Sequence, residues 1–449
     1  MSRVLIVTGD PIGPRMAGPA IRAWNMARIL GAEHEVTLVT TTNLEPVDAP
    51  FALERVLPSD QSGFAELMDW CEVVVFQGHA RTQFEALRDT DKIVVADVYV
   101  PINLEMLEQG RELPAATWNL MVDRARHVLN DQLATADYFL CASDRQRIFY
   151  LGQLSALGRI TPATYQNDPH LDRLLGVVPY GLEATPPEHT RNVLRGVVPG
   201  IEHDDKVLIW GGGIYSWFDP LTLIRSVARL HDAGRPVRLY FLGTKHPGVD
   251  KMRIVSQAED LAQQLGVLGT AVFFNDGWID YSDRQNYLLE ADAGVSTHHL
   301  HVETTVSFRT RILDYLWAGL PMVVTRGDSM AELIEREGLG VAVEADDVDS
   351  LTAGLETVLF DEDAARSARE NVARVREDFV WESALAPLVE FLRDPAPAAD
   401  RGLPRASLGD GPKAHGLGHD IGMAWHHLRY SGLRTVLQKV ARRVSRRDR

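Results

Sequence analysis

From Arg3 to Asp346 the chain alternates short apolar runs with segments of helical periodicity, and midway the alternation starts again. The first series is "RVLIVTG" (Arg3–Gly9), "EVTLVTT", "CEVVVFQG", "KIVVADVYV" and "ADYFLCAS" (Ala136–Ser143), with a helix expected from about Ala20 to Leu30. The second opens with "KVLIWGGG" (Lys206–Gly213) and continues through "RLYFLG", "AVFFNDG", "AGVSTHH", "PMVVTRG" and "GVAVEAD". Strands apolar on both faces must be covered on both faces, and parallel neighbours need a crossover helix between them. The pattern therefore predicts an α/β protein of two doubly wound, Rossmann-like parallel-sheet domains facing across a cleft. The Pro- and Gly-rich "VVPYGLEATPP" (Val177–Pro187) marks the junction, giving domains over 1–180 and 190–378, with a closing helix over 379–394. Open parallel sheets bind ligands beyond the carboxyl ends of their strands, so the loops after these runs are the candidate site.

Charge is unevenly spread. The chain of 449 residues has a formal net charge of −16, yet residues 401–449 hold eleven Lys or Arg against three Asp, a net of +8 that leaves −24 elsewhere. An acidic body excludes non-specific nucleic-acid binding as its purpose. The segment "PAPAADRGLPRASLGDGPKAHGLG" predicts a flexible linker over 395–420. In the tail over 421–449, Leu433, Val436, Leu437, Val440 and Val444 line one helical face, and Arg434, Lys439, Arg442, Arg443, Arg446 and Arg447 fill the rest. Such a basic amphipathic helix suits an anionic membrane surface, with Trp425 as an interfacial anchor; a solvated charged face is the plainer alternative and a nucleic-acid contact a third. The first apolar run is too short for a signal-peptide core and no run reaches the length of a membrane span, so the expected location is cytoplasmic, peripheral on the inner face of the membrane. Cys71 and Cys141 both lie in strand-like runs and are expected as buried reduced thiols.

The densest chemistry is in "HVETTVSFRTRILDYLWAGLPMVVT" (His301–Thr325). Ser307 is a good N-cap type, and a helix opening there would turn free N–H groups and its positive end toward an anion. Arg309 and Arg311 add guanidinium groups suited to bidentate phosphate contacts. Ordinary surface pairs with Asp314 are the plainer reading. Gly211, Gly212 and Gly213 form either a phosphate-approaching loop or simply a tight strand-to-helix turn. His298, His299 and His301 lie beside Glu303, but strand-like spacing argues against a zinc cluster. Asp347 and Asp349 precede an apolar-periodic helix, which makes capping the better account of that pair.

In order and spacing these pieces resemble a GT-B glycosyltransferase, most closely the retaining family commonly numbered four, over roughly residues 3–390. "ILDYLWAGLPMVVT" resembles the family's acidic-helix segment; the loop with Gly18-Pro19, "VVPYGLE", "ADAGVST" and the closing "FVWESALAPLVEFL" support it. The resemblance implies transfer of a sugar from a nucleotide diphosphate donor to an acceptor on the first domain, with retention and without a metal or other cofactor. It assigns Asp314 to the ribose hydroxyls, Glu303 to a donor-sugar hydroxyl and Gly18 to donor binding; Gly211, Gly212, Gly213, Ser307, Phe308, Arg309 and Arg311 are the further donor-binding expectations. His79 and Asp97 are the acceptor-side expectations. Two departures stand out. The family's acidic pair is eight residues apart, whereas Glu303 and Asp314 are eleven apart, and the loop "WGGGIYSWFDP" lacks the family's Arg and Lys. Arg309 and Arg311 are expected to replace that charge. The basic tail implies a lipid-linked or other saccharide acceptor in cell-envelope polysaccharide synthesis. A sugar-nucleotide epimerase of the same fold and a non-catalytic nucleotide-sugar-binding protein are the alternatives.

Overall fold

The structure is a computed structural model and describes residues 1–244, 252–275 and 279–403. The first sheet comprises β1 (Arg3–Thr8), β2 (Glu35–Thr40), β3 (Ala52–Arg55), β4 (Val73–Gln77), β5 (Ile93–Asp97), β6 (Tyr138–Cys141) and β7 (Leu175–Val177), in the order β3-β2-β1-β4-β5-β6-β7. The second comprises β8 (Lys206–Trp210), β9 (Val237–Phe241), β10 (Val272–Phe274), β11 (Ala293–Ser296), β12 (Met322–Thr325) and β13 (Gly340–Val343), in the order β10-β9-β8-β11-β12-β13. Every pairing is parallel, as between Val4 and Val36 or Leu208 and Leu239. The expected pair of doubly wound domains is present.

The apolar runs explain the layering. Successive strand side chains point to opposite faces. Val73 and Val75 of β4 therefore enter one core while Val74 and Phe76 enter another. In β8, Val207 and Ile209 go one way and Leu208 and Trp210 the other. With both faces buried, each Val or Leu gains the full transfer term of about 1.5–3 kcal/mol. Cys71 and Cys141 are buried free thiols in the first of these domains, and burial pushes them up to about 11 and about 12 respectively.

The chain order reverses next to β1 and β4 in the first sheet and next to β8 and β11 in the second. At such a switch point adjacent loops part to opposite faces and leave a crevice. The crossing between domains is held at Leu182, which pairs with Val380, and at Gly181, where a Cβ would come within 2.8 Å of the Trp381 Cα. Helix Ala386–Arg393 returns to the first sheet, stacking Phe391 on Tyr138 with ring centroids 4.2 Å apart.

The start of the expected linker is anchored rather than loose. Asp400 forms a buried two-point ion pair with Arg159 at 2.5 and 3.1 Å, and the Ala398 N–H and the Arg401 guanidinium both donate to Asp137. Pro and Gly content alone misses this, because the anchoring acid and base are interspersed among the small residues. The remainder of that linker and the basic amphipathic tail lie outside the described residues. Among the described residues no helix is long and apolar enough to cross a membrane.

Candidate functional site

The carboxyl ends of both sheets open on a cavity of about 500 Å³, well within the range of small-ligand sites. One wall comes from the first domain: the loop after β1 with Asp10 and Gly18, Tyr99 and Pro101 after β5, and Glu105 on helix Ile102–Gln109. The other comes from the second domain: Gly211–Gly213 after β8, Arg284, and the segment Glu303–Asp314 after β11. The loops after β1, β5, β8 and β11 thus converge on one cavity.

The glycine loop is fixed by Tyr315. Its hydroxyl accepts from the Gly211 N–H at 2.8 Å and faces the Val295 carbonyl at 2.8 Å, tying the ends of β8 and β11 together. The ring lies against Gly294, where a Cβ would approach it to 2.4 Å. Gly212 adopts φ +77°, the left-handed region that favours glycine. The Gly211 N–H is therefore spent, contrary to the expectation that all three glycines face a ligand. Among the described residues no acceptor takes the N–H groups of Gly212 or Gly213.

Ser307 is not an N-cap. It ends the short helix Val302–Val306, and its hydroxyl donates to the Glu303 carboxylate; the next helix begins only at Arg311. The glutamate four residues upstream is a stronger partner for that hydroxyl than a backbone N–H would be.

The two arginines, alike in sequence, have opposite surroundings. Arg309 is buried between acids: Nη2 lies 3.2 Å from Glu303 Oε2 and Nε 3.5 Å from Asp328 Oδ2. Asp328 also caps helix Ser329–Glu337 through the Ala331 N–H. Burial alone would raise Asp328, but the His298 imidazole and the Arg309 charge hold it below the usual carboxylate range. Arg311 is only 8% exposed and has no acidic partner among the described residues. Its Nη2 donates to the Gly213 carbonyl at 2.9 Å, Nη1 has no partner, and the guanidinium lies 4.3 Å from the Trp210 ring centre and 4.0 Å from that of Phe218. Burial pulls this arginine down to about 10.

Asp314 also lines the cleft but pairs with neither of those arginines. Its Oδ1 accepts from Arg284 Nε at 3.1 Å, and Arg284 sits 3.5 Å from the Tyr281 ring centre and 4.4 Å from that of Trp317. Arg284 escaped the sequence reading, since "SDRQNYLLEAD" has no motif that distinguishes it. Phe308, Ser307, Glu303 and Gly18 all line the cavity.

His79 and Asp97 are not brought to the cleft walls. His79 is exposed at the start of helix Ala80–Gln83. Asp97 is buried under the wall in a two-point ion pair with Arg22 at 2.7 and 2.9 Å and accepts from Gln77 at 2.9 Å. His298, His299 and His301 do not converge on one point: His298 faces Asp328, His299 bonds Asp346, and His301 lies between Glu108 and Glu303. One trio of ligand-type side chains, Asp219, His299 and Asp346, does lie within 4.8 Å, but Asp219 already caps helix Pro220–Asp232. Asp347 caps its own helix, accepting from the Asp349 and Ser350 N–H groups.

Residues 205–361 match the family model described as Glycosyl transferases group 1. No curated protein sequence matches the chain. Among solved structures the chain is similar to sucrose-phosphate synthase from Thermosynechococcus elongatus, with a TM-score of 0.64 and 15% identity over 88% of this chain and 98% of that one. It is similar to WaaG, a glycosyltransferase involved in lipopolysaccharide biosynthesis, with a TM-score of 0.59 and 17% identity over 87% and 100% of the two chains. Anabaena HepE, solved in complex with UDP and glucose, gives a TM-score of 0.62 and 12% identity over 88% and 100%. At these identities the likeness establishes architecture: the chain has the GT-B fold, and its second sheet lies within the stretch that matches the Glycosyl transferases group 1 model.

Proposed function

We propose that this protein is a retaining glycosyltransferase of family-four type that uses a nucleotide diphosphate sugar without a metal. The observation that carries the reading is Arg311: a buried guanidinium with an unpartnered Nη1, lining the cleft at the switch point of the second sheet. The residue lines the cavity without an acidic partner among the described residues, so an incoming diphosphate supplies one. The free N–H groups of Gly212 and Gly213 add neutral donors beside it. Asp314, oriented by Arg284, accepts from the ribose diol, and Glu303, oriented by Ser307 and Arg309, accepts from a donor-sugar hydroxyl. Phe308 lines the donor side, and Gly18 lets the first domain's backbone approach. His79 and Asp97 have no role in this scheme.

In the reaction the bond from the anomeric carbon to the diphosphate oxygen breaks. A bond to an acceptor hydroxyl oxygen forms on the same face, and one proton is released. Arg311 stabilises the charge that develops on the leaving oxygen, a contribution that grows toward the transition state. Cleft walls that exclude water favour transfer over hydrolysis. The HepE structure holds UDP and glucose, which supports a donor of the same class here. Incubation with a donor labelled in its sugar should move the label into a new glycoside while releasing the nucleoside diphosphate. Label retained on an epimerised nucleotide sugar would replace the proposal with the epimerase reading.

The basic tail makes a cytoplasmic enzyme, peripheral on an anionic membrane and acting on a cell-envelope acceptor, part of the same proposal. Deleting residues 420–449 should abolish co-sedimentation with phosphatidylglycerol vesicles and leave nucleotide binding unchanged; sedimentation that persists would refute it.

A further inference from the structure

The two walls of the cleft differ in charge. The second domain presents Arg284, Arg309 and Arg311 together with Glu303 and Asp314. Among the described residues the first domain's wall presents two charged side chains, Asp10 and Glu105, and no Lys, Arg or His. Around them are Met16, Ile21, Tyr99 and Pro101, an apolar and aromatic floor of the kind that carries the faces of sugar rings.

Neither acid is tied into an ion pair. The Glu105 carboxylate has no hydrogen-bond or salt-bridge partner among the described residues, although that of its helix neighbour Glu108 has Arg111. Burial, and then the Glu303 charge, push Glu105 up to about 7. Asp10 is likewise raised by burial, against a smaller lowering from the Ala20 N–H. The facing wall holds the unpartnered Nη1 of Arg311, so the acids line a ligand cavity and not merely an acidic surface. Once Arg311 faces the donor diphosphate, the other cations of the cleft are already paired, Arg309 with Glu303 and Arg284 with Asp314. No unpaired cation among the described lining residues remains for a second anion.

We infer that the acceptor sugar is a non-anionic hydrogen-bond donor, a neutral or amino sugar, anchored through its hydroxyl or ammonium groups by Glu105 and Asp10, and that these acids reject phosphorylated and uronic acceptors. The inference rests on the donor reading above. Carboxylates accept from hydroxyls and ammonium groups and repel phosphate, so the same pair provides both recognition and exclusion.

The test uses the full-length protein and the nucleotide sugar that stabilises it most in a thermal-shift panel. Transfer is measured to neutral, amino, 6-phosphorylated and uronic hexoses and their glycosides. Products are expected with neutral or amino members only. Glu105→Gln should raise the acceptor KM about tenfold, the scale of one hydrogen bond to a charged group, with the donor Kd unchanged. In the wild type the acceptor KM should rise as pH falls from 8 to 6 and Glu105 takes up a proton; in Glu105→Gln that dependence should vanish. Transfer to a phosphorylated or uronic member with equal or higher kcat/KM overturns the inference, as does donor binding with no transfer to any neutral or amino member. A calorimetric donor titration separates the two readings: if no nucleotide sugar binds, the donor assignment fails, whereas binding with the reversed acceptor preference defeats this inference alone. The same titration on Glu105→Gln reports whether the variant is folded.

Discussion

Arg311→Ala is expected to weaken UDP or GDP binding by about 10²–10³-fold, the loss of a charge-assisted contact in a water-poor site. The free protein should not be destabilised. An unpaired guanidinium held against Trp210 and Phe218 costs folding energy, and burial has already pulled its pKa down to about 10. A lowered basic pKa in the folded state means that the charge opposes folding wherever the unfolded arginine is protonated, which includes all of the neutral range. Removing it relieves that cost. Arg311→Lys should recover little, because an ammonium lacks the planar fork that stacks on both rings while donating to Gly213. Calorimetric titration paired with urea unfolding checks both halves: affinity lost and stability kept. The contrasting variant is Arg309→Ala. It strands the buried carboxylates of Glu303 and Asp328, so its effect on binding cannot be separated from damage to the fold.

Asp97→Ala is expected to cost about 3–5 kcal/mol of stability, the usual penalty for leaving a buried charge without its partner. Arg22 has no solvent exposure, and besides Asp97 it donates to the carbonyls of Val178 and Pro179 at 2.9 and 2.8 Å. One guanidinium thus ties helix Gly18–Leu30 to β5 and to the segment that leaves the first domain. Urea denaturation should show a lower midpoint with an unchanged slope. The double variant Arg22→Met with Asp97→Leu should recover much of the loss, since a matched apolar pair leaves no charge stranded. If Asp97→Ala were as stable as the wild type, the pair would be solvated and Asp97 would be available to a ligand after all.

These two cases also mark where sequence reading stops. All six strands of the second sheet are legible because each carries a run of at least three apolar or small residues. In the first sheet β3 and β7 are missed: β3 is a four-residue edge strand, "ALER", that is mostly exposed, and β7 is three residues with a central glycine. The cleft follows from the alternation itself, since switch points fix which loops converge. The roles within it do not. Arg309 and Arg311 are two residues apart and chemically identical, and what separates them is Asp328 on one side and Trp210 on the other, both distant in sequence. Ser307 looks like a cap until the fold places Glu303 beneath it. Asp97 ends a strand facing the cleft, and only packing reveals the arginine that claims it. Glu105 and Arg284 stand in segments without any motif and become visible only as cavity walls.

The most direct measurement is a crystal of the full chain soaked in turn with UDP and GDP. Diphosphate density is expected within hydrogen-bond distance of the Arg311 guanidinium and the Gly212 and Gly213 N–H groups, with the ribose hydroxyls on Asp314. Density for the nucleotide elsewhere, with Arg311 untouched, would contradict it.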